Sequence, residues 1–400
     1  MGDVEIPYGA YWSTPFAKWQ GAFQHLHSMQ FAAYVAKHEL SKRNIAPTVF
    51  SSGILGLTNA QFQSFNGAPW PLYEIGAIRT PGHMLSQVCA TGARVLFAGA
   101  SEIALGLSEV TLLITADRCS NGPHIYYPAP GNPGGKGVSE DQIFYNMMHD
   151  PVGGHSMTQT AENVASKHGI SKEELDVVTL RRYEQYQDAL KSDQAFQRRY
   201  MSLPFDIPKA NFKGIAGSVL GDEGVFPTTQ DGLAKLKPVV GSGVVTYGNQ
   251  THPADGNASV IVTTSRMALE LSANASIKVS LAGFGQSRTD LGYMPAAPVE
   301  AAQRALDHAG ISLEQIKAIK THNPFAVNDV VFSRLTGVSV MSMNNYGCSL
   351  IWGHPQGPTG MRSIIELIEE LVVLGGGYGL FTGCAAGDTA MAVVIKVSDR

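Results

Sequence analysis

Cys89 stands where a turn gives way to a helix-length segment, and its thiol is the first candidate for covalent chemistry. No proline interrupts residues 90–107, and apolar residues recur there at helical spacing, at Val95, Ala98, Ile103 and Leu107. Thr111–Ile114 then predicts a short buried strand. Unpaired N–H groups and the positive end of the dipole at a helix N-terminus favour thiolate over thiol. The pattern therefore predicts a nucleophilic Cys89, the alternative being a buried, inert cysteine.

Two histidines and a second cysteine lie in segments that suit such a nucleophile. His322 follows a strand-like stretch, His354 lies in a Gly-His-Pro turn, and Cys384 precedes two alanines and a glycine. A thiol needs a base, and histidine titrates near neutrality. A second thiol can move protons to and from carbon, and small residues after it let backbone N–H groups approach an oxyanion. The alternative for each histidine is a structural or surface position, and the His354 segment also fits a plain helix-entry turn.

Composition restricts the class of protein. The chain has 400 residues, is 44% apolar and 16% charged, and has a formal net charge of −4. This length predicts two or three lobes, and the charge gives no reason to expect nucleic acid or an anionic membrane as partner. The four scattered cysteines form neither a disulfide framework nor a zinc motif, which predicts a reducing compartment and no bound metal. With no signal peptide or membrane-spanning stretch in the sequence, we expect a soluble cytoplasmic protein.

The elements that must position these residues follow an α/β pattern. Residues 20–42 predict an amphipathic helix, and Thr48–Phe50 predicts a strand. Residues 118–155, rich in Gly, Pro, Asn, Tyr and His, predict a long functional loop. Residues 156–197 are charged and helical, with a capping signal at Ser171, whereas residues 204–244 lack periodicity.

The C-terminal part repeats the order of elements around Cys89. The Gly/Pro turn at residues 351–362 opens an apolar helix, and a strand follows at residues 378–382, as a turn, a helix and a strand succeed one another around Cys89. Two like halves predict a duplicated α/β unit with the site between them. The predicted boundaries are 1–117 for the first half, 118–244 for an inserted loop domain, 245–270 for the return to the first half, and 271–400 for the second half.

Six motifs in the same order resemble those of the thiolases and cover essentially the whole chain. They are Ser13–Gly21 (R-T-P-F-G-K-x-x-G), Cys89–Gly92 (C-x-S-G), Met157 with Ala161–Asn163 (M-x-x-x-A-E-N), Thr246–Thr251 with Asp255–Gly256 (V-T-x-x-N-x-S-x-x-N-D-G), Gly353–Arg362 (G-H-P-x-G-x-S-G-x-R), and Gly383–Gly387, a looser match to C-x-G-G-G. The resemblance implies a duplicated five-layer αβαβα fold with an inserted loop domain, assembled as homodimers or tetramers.

The implied chemistry is acyl transfer to and from coenzyme A, with a carbon–carbon bond formed or cleaved. By this resemblance Cys89, activated by His354, would attack a 3-oxoacyl-CoA, and Cys384 would protonate the departing enolate. The backbone N–H groups of Cys89 and Ala386 would form one oxyanion hole, and His322 with His354 the other.

The resemblance also assigns the substrate and its contacts. Met157, Asn249, Thr251 and Phe325 would bind coenzyme A, which acts as substrate, so no permanently bound cofactor is expected. Relatives of the benzoylsuccinyl-CoA thiolase type work with a small zinc-containing OB-fold subunit, which here would have to be a separate chain.

Departures from the family pattern leave alternatives open. His322 replaces the usual asparagine, as in sterol-carrier-type thiolases, and gives a Cys–His–His set like that of ketosynthases. The acyl group could be acetyl or larger, including aromatic, benzoylsuccinyl-like or dicarboxylic groups, and Trp352, Tyr126 and Tyr127 are candidates for shaping such a pocket. Cys348 is interpreted as a packing residue. Two other candidate functions remain. One is a non-catalytic acyl-CoA-binding subunit. The other is a ketosynthase-like or retro-aldolase-like enzyme, and Cys384 argues against this second alternative.

Overall fold

A computed structural model describes residues 3–400 of the chain. The strands are β1 (Val4–Glu5), β2 (Tyr11–Ser13), β3 (Ala17–Lys18), β4 (Ser52–Gly56), β5 (Gly82–Leu85), β6 (Val110–Arg118), β7 (His124–Tyr127), β8 (Val138–Asp141), β9 (Phe205–Pro208), β10 (Ile215–Val219), β11 (Ala254–Thr264), β12 (Ile277–Arg288), β13 (Ile316–His322), β14 (Gly377–Ala385) and β15 (Thr389–Asp399). The helices are α1 (Ser28–Lys42), α2 (Pro69–Ile75), α3 (Thr91–Ala104), α4 (Phe144–Met148), α5 (Met157–His168), α6 (Lys172–Gln194), α7 (Gln230–Ala234), α8 (Ser265–Leu271), α9 (Ala297–Ala309), α10 (Ala326–Thr336), α11 (Ser349–Trp352) and α12 (Gly357–Val373).

One large mixed sheet runs through the molecule in the order β13-β14-β15-β12-β1-β11-β6-β4-β5, with β2 and β3 also paired to β11. At one end β5, β4 and β6 are parallel and β6 is antiparallel to β11. At the other end β13 and β14 are parallel and β14 is antiparallel to β15. The short strand β1 pairs with both β11 and β12 and so joins the two ends. The α/β class is confirmed.

Helices α3 and α12 contact each other closely, and each follows one of the predicted reactive turns. A Cβ on Gly92 would lie 2.4 Å from the backbone nitrogen of Met361, so only glycine fits at this point of α3. Residues 357–371 of α12 are all buried. The turns that carry Cys89 and His354 are therefore held side by side.

Charged residues within buried α12 are paired across the fold. Arg362 forms a two-point ion pair with Asp222 of the inserted region, at 2.5 and 2.8 Å, and its Nε lies 3.0 Å from Glu366. Lys320 of β13 lies 3.3 Å from the other oxygen of Glu366. Buried charges need such partners, and here they tie the inserted region and β13 to α12.

Among the described residues, no helix combines the length and apolar character needed to cross a membrane.

Two predicted N-terminal elements are wrong in detail. The helix predicted over residues 20–42 begins only at Ser28, because residues 19–26 form turns and bends, with Gln20 at φ +57°. The strand predicted at Thr48–Phe50 is instead a 3₁₀ turn that begins at Pro47, whose fixed φ suits the first position of a helical turn. The strand lies just beyond it, as β4.

The inserted region contains more regular structure than its composition predicts. Hairpin β7–β8 and helix α4 occupy the predicted loop at residues 118–155, and hairpin β9–β10 and helix α7 lie within residues 204–244. The predicted helical segment is confirmed as α5 and α6, and the Ser171 side chain accepts a hydrogen bond from the Glu174 N–H as the capping signal predicts. Short hairpins with little apolar alternation leave no periodic signal in the sequence.

Candidate active site

The predicted nucleophile stands on a strained turn directly before α3. Val88 has φ +46°, which is unfavourable for a β-branched residue. The Thr91 hydroxyl stabilises the turn, because it accepts a 2.8 Å hydrogen bond from the Gln87 N–H and donates one of 2.7 Å to the Val88 carbonyl. Strain of this kind is concentrated at functional sites. The turn fixes the position of the Cys89 side chain.

His322 and His354 come together from different elements to face Cys89. Their rings are stacked, with centroids 4.2 Å apart and planes inclined by 29°. The His322 Nδ1 lies 2.9 Å from the Ser349 hydroxyl, and the His354 Nδ1 lies 2.6 Å from the Thr359 hydroxyl. Both Nε2 atoms are buried without a hydrogen-bond partner. The Cys89 sulfur and one ring nitrogen each of His322 and His354 all lie within 4.8 Å of one another.

Burial sets the protonation states of these groups. It lowers the pKa of His354 to about 3 and that of His322 well below its ordinary value, so both imidazoles are neutral at pH 7. Burial also raises the pKa of the Cys89 thiol to about 12, although the backbone N–H groups of Ala386 and Cys89 act in the opposite direction. The expectation of a resting thiolate is therefore wrong, because desolvation outweighs the helix terminus. Cys89 needs a base when it reacts.

Cys384 and Ala386 approach the same point from the end of β14. Cys384 is fully buried, and the Asn328 side-chain amide donates a hydrogen bond to its sulfur at 3.3 Å. Burial, and then the proximity of Cys89, raise the pKa of Cys384. Ala386 lies in the turn after β14, where its N–H faces the Cys89 sulfur and favours the thiolate. The structure thus brings together all five residues predicted for the catalytic centre.

The residues predicted to bind coenzyme A lie along one segment beside this centre. Asn249 is buried and uses its amide within its own turn, accepting from the Thr246 N–H and donating to the Val244 carbonyl. The Thr251 hydroxyl donates to the Ser349 carbonyl, and Phe325 pairs with the residue after Asn249.

Met157, the fourth of these residues, begins α5 and is half-buried against the core cluster that contains Phe325. The hydrogen bonds of Asn249 and Thr251 stabilise the loop itself. Coenzyme A binding by the four residues stays a prediction.

Four polar residues around the centre were missed by sequence reasoning. Gln356 has its Oε1 3.2 Å from the Cys89 sulfur. Ser349 and Thr359 bond to the two imidazoles, and Asn328 bonds to Cys384. Gln356 and Thr359 lie inside the Gly353–Arg362 motif, Thr359 at its serine position, but the motif does not show what these side chains contact. Ser349 and Asn328 lie outside every motif, so their proximity to the site is a tertiary property without a local signal.

Two residues singled out in the sequence are core residues. Trp352 is fully buried, and its ring packs edge-on against Phe16 at 5.2 Å and lies 4.3 Å from the Arg362 guanidinium carbon. This assigns Trp352 to the core rather than to an acyl pocket. Burial raises the pKa of Cys348 to about 11, and its sulfur accepts from the Asn323 amide, which fits the predicted packing role.

Fold and site together define a mixed α/β protein of two like halves with a Cys–His–His centre between them. The family model described as "Thiolase, N-terminal domain" matches residues 10–266, and "Thiolase, C-terminal domain" matches residues 275–397. The chain belongs to the thiolase family.

Relatives and solved structures agree along almost the whole chain. An acetyl-CoA acetyltransferase of Chromobacterium violaceum is 28% identical over 98% of this chain and 100% of its own length. The human mitochondrial 3-ketoacyl-CoA thiolase is 27% identical over 96% of both chains. The crystal structure of the human enzyme matches with a TM-score of 0.89 at 26% identity over 99% of both chains, and that of its complex with CoA also has a TM-score of 0.89. The predicted thiolase fold is confirmed, and the named relatives are acyltransferases.

Proposed function

We propose that this chain is a 3-oxoacyl-CoA thiolase that works through an acyl-Cys89 intermediate. The observation that carries the proposal is the convergence of Cys89, His322 and His354, whose reactive atoms lie within 4.8 Å of one another. Both Nε2 atoms are unpartnered in a buried site, and hydrogen-bonding groups in such a site are held ready for a substrate.

The first step is nucleophilic attack by Cys89 on the 3-keto carbon. The neutral His354 takes the thiol proton at Nε2, because its Nδ1 is already engaged by Thr359. The sulfur forms a bond to the carbonyl carbon, and the carbonyl electrons move to the oxygen. The N–H groups of Cys89 and Ala386 face this sulfur and would stabilise that oxyanion.

The second step breaks the carbon–carbon bond. The tetrahedral intermediate collapses to an acyl-Cys89 thioester, and the electron pair of the broken bond leaves on the acetyl-CoA enolate. His322 and His354 hold the enolate oxygen, and Cys384 donates its proton to the carbon. A buried thiol with a raised pKa retains its proton until a carbanion demands it. Free coenzyme A then takes the acyl group from Cys89: its sulfur forms the new thioester bond as the Cys89–acyl bond breaks, its thiol proton replaces the one that Cys384 lost, and His354 returns its proton to the Cys89 sulfur.

The predicted domains supply the remaining contacts. We assign residues 118–244 to the loop domain, residues 1–117 and 245–270 to the N-terminal half, and residues 271–400 to the C-terminal half. Met157, Asn249, Thr251 and Phe325 line the pantetheine path, with Asn249 and Thr251 acting through the backbone that their side chains stabilise. Coenzyme A is a substrate, and no permanently bound group takes part.

The acyl group is either acetyl or a larger group, aromatic (benzoylsuccinyl-like) or dicarboxylic. Incubating the protein with coenzyme A and a panel of such 3-oxoacyl-CoAs tests the activity. From a substrate whose C2 is unsubstituted, the proposal predicts acetyl-CoA together with an acyl-CoA two carbons shorter. From a benzoylsuccinyl-like substrate, whose C2 carries a carboxymethyl group, it predicts succinyl-CoA together with benzoyl-CoA. Both products are measured by liquid chromatography and mass spectrometry. Cys89→Ala should form neither product. Absence of both products with every substrate in the wild-type protein would contradict the proposal and favour a non-catalytic acyl-CoA-binding role.

We further propose a homo-oligomer built through the edge strand β5. This strand ends the large sheet, and its His83 and Met84 are exposed. An unpaired sheet edge is a template for another strand, so a second copy pairing there is expected. Light scattering on the purified protein should give the mass of a dimer or tetramer.

A separate zinc-containing OB-fold subunit stays a prediction, tested by zinc analysis after co-purification from the source cells. A cytoplasmic location also stays a prediction, tested by cell fractionation.

A further inference from the structure

Gln356 has a backbone conformation that is costly for any residue with a side chain. It stands between the His354 turn and the first residue of α12, with φ +62° and ψ −110°. This region is essentially reserved for glycine. Gln356 is also buried, with 5% of its surface exposed. A strained and buried polar residue at this position indicates that its side chain has a function that offsets the strain.

The side chain of Gln356 lies between the nucleophile and its base. The Cys89 thiol donates a hydrogen bond to the Gln356 Oε1 at 3.2 Å. The same side chain faces His354 closely enough to raise the pKa of that imidazole, against the larger lowering by burial. The amide oxygen therefore accepts from the Cys89 thiol in this structure, and it is near enough to His354 to accept from the imidazolium once that ring is protonated.

We propose that Gln356 is a positioning residue for proton transfer from Cys89 to His354, and that its Oε1 accepts the hydrogen bond of whichever partner carries the proton. This inference rests on the proposed function and adds to it a group that the catalytic set Cys89, His322, His354 and Cys384 does not contain.

The transfer balances without any further reactant. The S–H bond of Cys89 breaks, the electron pair stays on sulfur, and the proton forms a bond to the His354 Nε2. Before transfer the Gln356 Oε1 accepts from the thiol, and after transfer it accepts from the imidazolium. A hydrogen bond to a charged donor is about twice as strong as one between neutral groups, so the amide favours the ion pair. An amide is not itself a base at neutral pH, and His354 remains the proton acceptor.

The other ionisable groups around the pair do not supply this stabilisation. His252 lowers the pKa of His354, and His322, stacked on the same ring, is neutral. Asp117 raises the pKa of Cys89 and uses its carboxylate on backbone N–H groups, including that of Gly357. The Cys119 thiol donates to the His354 carbonyl. Gln356 is thus the side chain that favours the imidazolium, because the neighbouring ionisable groups either disfavour it or are engaged in other hydrogen bonds.

The test is the pH dependence of Cys89 alkylation by iodoacetamide, followed by intact-protein mass spectrometry and peptide mapping. Two variants separate the side chain from the backbone. Gln356→Leu keeps the volume and loses the acceptor, whereas Gln356→Gly loses the side chain and relieves the strain. We expect both variants to be alkylated at least about 10-fold more slowly than the wild type at pH 8, so that the whole profile is shifted to lower rates. Thiolytic kcat should fall by a similar factor, with KM for coenzyme A within about threefold.

The two possible failures are distinguishable, because alkylation needs no acyl-CoA. Gln356→Gly should melt no lower than the wild type, so it reports on the side chain even where Gln356→Leu fails to fold. A wild-type alkylation profile in Gln356→Gly would overturn the role of Gln356 and leave it a purely structural residue. A shifted profile in a protein without thiolytic turnover would support the role of Gln356 and contradict the proposed function alone.

Discussion

Gly92 of α3 and Met361 of α12 touch backbone to backbone, so that a Cβ on Gly92 would lie 2.4 Å from the Met361 nitrogen. Gly92 is the second residue of α3 and Met361 the fifth of α12, so the contact lies just beyond the turns that carry Cys89 and His354. The duplicated halves are therefore joined at the point where their reactive turns must meet. The separation of Cys89 and His354 therefore depends on the crossing of the two helices as well as on the two turns.

Replacing Gly92 by alanine tests this crossing. A contact of 2.4 Å must be relieved by separating α3 from α12, which we expect to cost about 2 kcal/mol or more in the free energy of unfolding and to lower thiolytic turnover. Gly360→Ala is the matched control, because its Cβ would meet nothing closer than 3.4 Å and alanine favours a helix. Urea unfolding measures both variants. Equal stability of the two would show that the close contact does not constrain the helices.

Cys384→Ala should separate two reactions that share Cys89. General acid–base groups contribute about 10²–10⁴-fold, so carbon–carbon cleavage and exchange of the acetyl-CoA methyl protons with D₂O should fall by about 100-fold or more. Transfer of an acetyl group from acetyl-CoA to isotopically labelled coenzyme A forms no carbanion and should stay within about 10-fold of wild type. Cys348→Ala, which removes another buried thiol, should leave the ratio of the two rates unchanged. Equal loss of both reactions in Cys384→Ala would contradict its assignment as the carbon acid.

His322→Asn should retain measurable activity. The side chain is proposed to offer a hydrogen bond to the enolate oxygen, and the amide of asparagine, the usual residue at this position in the family, can also donate one. We expect turnover within about 10-fold of wild type for His322→Asn and a loss of about 10²–10³-fold for His322→Ala, which removes the donor. Steady-state kinetics on one substrate measure both. Complete loss in His322→Asn would mean that His322 transfers protons.

Stability should depend on pH through His354. Burial lowers its pKa to about 3 in the folded protein, against an ordinary value of 6.5, so between pH 3 and 6.5 the unfolded chain binds the extra proton. The contribution of His354 is present above pH 6.5 and is lost as the pH falls. Between pH 7 and pH 5 the loss is about 2 kcal/mol. Urea unfolding of the wild type and of His354→Asn at both pH values measures this loss. The free energy of unfolding of His354→Asn should fall by about 2 kcal/mol less than that of the wild type between pH 7 and pH 5. An equal fall in the two proteins would contradict a buried neutral His354.

The sequence predicted which residues meet at the candidate centre better than it predicted their surroundings. Cys89, His354 and Cys384 each lie in a short motif with a local signal, and the repeated order of turn, helix and strand indicated that the motifs meet. Gln356 and Ser349 carry no such signal, because their roles depend on distances between elements far apart in the chain. The expectation of a resting Cys89 thiolate was wrong for the same reason. The helix terminus can be predicted from neighbouring residues, but the burial that raises the pKa of Cys89 is a property of the folded site.

The most direct test of the acyl-Cys89 mechanism is the mass of the intact protein after mixing with 3-oxoacyl-CoAs in the absence of free coenzyme A. Without an acceptor the acyl group should remain on the enzyme, and peptide mapping should place the added mass on Cys89, its size identifying the acyl group. Adding coenzyme A should then discharge it. No adduct with any substrate, or an adduct on a cysteine other than Cys89, would contradict the proposed mechanism.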